Sequence, residues 1–125
     1  MPIEIKNLQA LNPGRHTGII VSAHMENKSF GLGKNPQPTL VVKIQPKNTT
    51  GGVYNEEEVV FSPVVAPISA LGQLLKRLDM EPDYKAAGSF DESSLEGTEV
   101  SFAVEVQKNN PKFNRVNKDS IALLK

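Results

Sequence analysis

The chain has 125 residues, with 14 basic and 14 acidic side chains, nine Gly, nine Pro and neither Cys nor Trp. That length suits one domain, which buries roughly two thirds of its unfolded surface without cross-links. The lack of cysteine excludes disulfide scaffolds, thiol catalysis and cysteine zinc sites. No apolar run approaches the ~20 residues of a membrane-spanning helix. The N-terminus MPIEIKNLQALNPG has Glu4 and Lys6 where a secretory signal has a basic stretch and then an apolar one. A single cytoplasmic domain over residues 1–125 is expected, with 1–12 as an N-terminal extension.

The neutral total conceals blocks. Residues 1–47 hold six basic and two acidic side chains, residues 79–105 hold eight acids against Lys85 alone, and residues 106–125 return to a balance of +4. If the fold joins the first and last blocks, a basic face opposes an acidic one. The plain alternative is that each block is a solvated surface.

Alternation of period two opens the chain. Thr17, Ile19, Val21, Ala23 and Met25 fall on one side of an extended segment, and His16, Ile20, Ser22 and His24 on the other. Pro13 and Gly14 start this first strand, and the Gly-, Pro- and Asn-rich segment from Glu26 to Pro38 ends it as a long loop. A second strand follows over Thr39–Gln45, with Leu40, Val42 and Ile44 on one side and Val41 and Lys43 on the other. KNTTGG is loop chemistry, and Val53–Ser62 reads as a third strand, edge-like at the acidic run Glu56–Glu58.

The period then changes. Ile68, Leu71, Leu74, Leu75 and Leu78 lie on one face of a helix that starts near Pro67 and carries Lys76 and Arg77 at its C-terminal end. Ser93–Gly97 suits a short helical turn. Val100, Phe102, Val104 and Val106 alternate as a fourth strand, KNNP is a tight turn, and Lys112–Asn117 with Ser120–Leu124 make a fifth, bulged near Lys118 and Asp119.

Three strands, a helix and two strands form an all-β protein with one helix. The order is that of a five-stranded, OB-fold-like Greek-key barrel, with the helix between strands 3 and 4 plugging one end. Gly14 and Gly18 suit the bend such a barrel puts in its first strand. The competing architecture is a β-sandwich or half-open roll with the helix across one face.

The succession GRHTGIIVSAHME, TLVVKIQPKN, SALGQLLKRL, LEGTEVSFAVEV and KFNRVNKDSI, over about residues 14–124, resembles the OB-fold single-stranded-DNA-binding and accessory proteins of phages and mobile elements. The resemblance implies a non-enzymatic protein that binds single strands, DNA rather than RNA, through a basic groove with stacking rings in support of replication or recombination. No cofactor is expected, and a replication or recombination protein, or further copies of the chain, are the expected candidates for a protein partner.

The residues themselves offer little catalysis. His16 and His24 lie eight apart on one strand face, too far apart to share a metal. Glu56–Glu58 and Asp91–Glu92 have no companion nucleophile or base. Gly31–Lys34 lacks the spacing of a phosphate loop. Binding has more material. In an OB fold the ligand crosses strands 2 and 3 between the first and last loops. Here those places hold Lys28, Phe30 and Lys34, then Lys43 and Tyr54, then Lys108, Lys112, Phe113 and Arg115. Cations track phosphates, and each base stacked on a ring contributes ~1–3 kcal/mol. Phe61 and Phe102 fall on apolar strand faces and belong to the core. The alternative is a protein-interaction or structural module, supported by the acidic block. Convergence of the Lys and Arg residues on one concave face favours nucleic acid, whereas Glu56–Glu58 on that face favours the interaction module.

Overall fold

A computed structural model gives the fold and describes residues 3, 8–9, 12–29, 33, 35–47, 53–54, 56–85, 88–106 and 114–124. The elements are β1 (Leu8–Gln9), β2 (Gly14–Lys28), β3 (Gln37–Pro46), β4 (Val53–Tyr54), β5 (Glu57–Phe61), α1 (Ala70–Arg77), a 3₁₀ turn (Glu92–Leu95), β6 (Glu99–Val106) and β7 (Asn114–Leu123). Five strands form one antiparallel sheet in the order β5-β3-β2-β6-β7, while β1 and β4 pair as a separate parallel ribbon. The protein is mainly β, with α1 between the third and fourth strands of the sheet, where the change of hydrophobic period predicts it. No helix among the described residues is long and apolar enough to cross a membrane.

The sheet curls without closing. Its edge strands β5 and β7 are not hydrogen-bonded neighbours. A cleft of about 470 Å³ runs between Glu57–Val60 on one side and Arg115–Asp119 on the other. Lys118 Nζ lies 5.5 Å from the centre of the Phe61 ring, so side chains meet where the backbones do not. Four successive antiparallel pairings make the two edges run in the same direction.

The long first strand is present, but its alternation breaks at one residue. A bulge between Ile20 and Ser22 inserts Val21, so side chains change sides there. Ile20 and Ala23 are buried, whereas Ile19, Val21 and Met25, expected on the apolar side with Ala23, are exposed. The bulge is held from outside the β2–β3 ladder. Ile20 N–H donates to the Thr98 carbonyl at 2.9 Å, and its own carbonyl accepts from Gly97 N–H at 2.7 Å. It also separates the histidines. His16 pairs with core Phe102 and stacks on its ring, while His24 pairs with Val41 on the opposite face. Just before the bulge, a Cβ on Gly18 would lie 2.7 Å from the Gln45 carbonyl oxygen, so β2 and β3 approach there as only glycine permits.

Other boundaries also move. Lys28, expected in the first loop, is the last residue of β2. The expected third strand is split, because Val53–Tyr54 pairs with β1 and only Glu57–Phe61 joins the sheet. The helix begins three residues after Pro67, and Ile68 is 93% exposed. Ser69 sets that start. Its Oγ accepts Gly72 N–H at 2.9 Å and Ala66 N–H at 3.0 Å, so the chain ahead folds into a cap instead of a first turn.

Leu71, Leu74, Leu75 and Leu78 pack with Leu95 against Ile20, Leu40, Ile44, Phe61, Phe102 and Ile121 in one core. Full burial of each such side chain contributes ~1.5–3 kcal/mol. The bulge expected near Lys118 is real. Opposite β6 the register jumps from Ala122 to Asn117 between Ser101 and Ala103. Ala103 N–H donates to Ser120 Oγ at 2.8 Å, and Arg77 from the end of α1 donates to the carbonyls of Ile121 and Lys118 at 2.7 and 2.9 Å.

Candidate nucleic-acid interface

Five of the nine expected contact residues, Phe30, Lys34, Lys108, Lys112 and Phe113, lie outside the described residues. Lys28, Lys43, Tyr54 and Arg115 lie within them.

Lys43 is on the outer face of β3, opposite in parity to buried Leu40, Val42 and Ile44. Across the ladder it pairs with Ser22 on one side and Glu58 on the other. Lys28 pairs with Gln37, six residues further along the β2–β3 ribbon than the Ser22–Lys43 pair. On a flat sheet that offset is about 20 Å, beyond the reach of a lysine and a glutamate together. Yet Lys28 Nζ donates to Glu58 Oε1 in an ion pair. The ribbon therefore bends toward its outer face and makes that face a trough.

The trough is electrically mixed. The hydrogen bond from Lys28 holds the Glu58 carboxyl below its ordinary pKa, helped by the charges of Lys43 and His24, and Glu58 in turn raises Lys28. His24 Nε2 lies 2.8 Å from Glu26 Oε2. Between these groups Val41 is 0% exposed although it is outside the main core, and it pairs with His24 on one side and Val60 on the other. The sequence places Val41 on the outer side correctly, but not as a buried residue.

Tyr54, expected as a stacking ring at the start of a sheet strand, belongs to the β1–β4 ribbon and packs half-buried against the core. The acidic end of the expected strand leaves the sheet before Tyr54 is reached, which removes that ring from the trough. Arg115 stands opposite Glu105 on β7 and lines the β5–β7 cleft, so it borders Glu58 only across the open seam. Glu57 turns the other way. It pairs with Ile44 on the inner side, and burial raises its carboxyl pKa while the charge of His16 opposes the rise.

Two cations were not among the expected residues. Arg15 on β2 and Lys47 just after β3 line one shallow depression with His16, Thr17 and Ser101. Period-two spacing carries the signal for both, because Lys47 continues the series Lys43–Gln45 and Arg15 precedes Thr17 and Ile19 on the same face. No group of three or more His, Asp or Glu able to hold a metal ion occurs among the described residues. No protein-family model matches the chain, and no curated protein matches it in sequence.

Proposed function

We propose that the protein binds single-stranded nucleic acid, DNA in the first instance, without catalysis, along the outer face of β2, β3 and β5. The observation that carries the reading is the convergence of Lys28 and Lys43 in a trough made by bending the β2–β3 ribbon. A flexible single strand follows such a curved, cationic path, and phosphate contacts there demand no particular base sequence. The strand order supports the same reading. It is the order of an OB-type Greek-key barrel opened at the seam between its third and fifth strands, whose edges run in parallel. The sequence between β2 and β3 holds Phe30 and Lys34, and that between β6 and β7 holds Lys108, Lys112 and Phe113, the residue types a single strand needs.

Glu58 favours the second reading, a protein-interaction module, because an acid stands on the face where phosphates would lie. Under the first reading a strand competes with Glu58 for Lys28 and Lys43, which lowers affinity without abolishing it. Anisotropy titration of a labelled single strand of ~30 nucleotides at two salt concentrations, with duplex as competitor, separates the two readings. Binding that prefers the single strand, weakens with salt, falls with Lys43→Glu and rises with Glu58→Gln supports the nucleic-acid reading. No binding at micromolar protein in low salt overturns it in favour of the interaction module.

A further inference from the structure

The outer face continues past the trough. Lys47 lies four residues beyond Lys43 on the same side of β3, about 13 Å along the strand. Its backbone N–H donates to the Thr17 carbonyl at 2.8 Å, which fixes it beside β2. Arg15 is two residues from Thr17 on the same face of β2, and its guanidinium donates to Ser101 Oγ at 3.3 Å. Neither cation forms an ion pair among the described residues, in contrast to Lys28. A second depression of about 330 Å³ adjoins this pair, with Thr17 and Lys47 lining both. Its apolar floor includes Ile19 and Leu124, which are 38% and 37% exposed, and Glu99 is the one acid on its rim.

Two cations without an ion pair among the described residues, beside two hydroxyls, match a phosphate diester, and an apolar floor next to them matches a base or sugar face. We propose that Arg15 and Lys47 hold one backbone phosphate of a bound single strand, and that Ile19 and Leu124 seat the nucleotide beside it. This subsite rests on the single-strand reading and extends its path beyond Lys43, toward the end of β3.

The test titrates the full chain with labelled oligothymidylate of about 15 nucleotides and with an abasic strand of equal length, across a salt series. Arg15→Ala and Lys47→Ala are each expected to weaken oligothymidylate binding several-fold. The double variant Arg15→Ala/Lys47→Ala should reduce the slope of log affinity against log salt by about 0.7, the value of one single-strand phosphate contact, and each single change should account for part of that loss. Lys76→Ala, an exposed change on α1, should alter neither. Ile19→Ser should weaken oligothymidylate and leave the abasic strand unchanged, with an unaltered circular dichroism spectrum showing that each variant is folded. If the wild-type chain binds and Lys43→Glu weakens it, but Arg15→Ala and Lys47→Ala keep its affinity and slope, the subsite is overturned and the wider reading stands. If the wild-type chain binds neither strand at low salt, both are overturned.

Discussion

Glu57 and Glu58 are adjacent in sequence, and the pleat of β5 sends their carboxylates to opposite faces. Glu58 is held ionised by Lys28, whereas Glu57 is partly buried on the inner side and its pKa is raised. A raised carboxyl pKa means that the folded state disfavours the charge. The resulting loss of stability is absent below the unfolded value and develops as pH rises through the folded one. Glu57→Gln is therefore expected to make the protein more stable at pH 7, with the difference from wild type vanishing below about pH 4. Urea unfolding of both proteins at the two pH values checks this; a gain that persists undiminished at the lower pH would contradict the assignment. Glu58 contributes with the opposite sign. Its ion pair adds stability above the unfolded pKa and loses it as pH falls through the depressed folded value, a small effect because both partners are partly exposed.

At the scale of elements, α1 and β7 each depend on one local device. A Cβ placed on Gly72 would lie 1.8 Å from the Ala66 carbonyl oxygen, inside the cap that Ser69 organises. Gly72→Ala forces that turn apart and is expected to cost about 1–3 kcal/mol in denaturant unfolding, even though alanine is the better helix former. Arg77 supplies donors to two carbonyls of the β7 bulge. Arg77→Ala should lower stability by roughly 2 kcal/mol and speed amide exchange around residues 117–121, where the ladder with β6 is interrupted. These devices show where sequence reading works and where it stops. The alternation of Val100, Phe102 and Val104 is uninterrupted, and β6 follows it. In β2 the same alternation is misleading, because the bonds that hold the bulge come from Gly97 and Thr98, some 77 residues away. Ile68 fits the helical period, yet the cap at Ser69 excludes it from the helix, a local signal the period overrides on paper but not in the chain.

For the whole molecule, the five strands of the main sheet and the place of the helix are legible because each depends on a short run of side chains, whereas the short strands β1 and β4 are not. Pairing partners are less legible: nothing near Val53 announces that it meets Leu8. Lys43 lies on the side of β3 that its unbroken parity predicts, whereas Tyr54 lies on a short strand outside the five-stranded sheet. Phe102 tests whether the core is one cooperative unit. It is fully buried between the sheet and the remaining core side chains, so Phe102→Ala should lose about 3–5 kcal/mol while every spectroscopic probe still melts together. Separate transitions for helix and sheet would show two units instead. Between β5 and β7 the contact is made by side chains, among them Lys118 over Phe61, and by no shared ladder. A ring of strands has one circumference, fixed by its hydrogen bonds. This sheet has a hem, and no ladder of backbone hydrogen bonds fixes the distance across it.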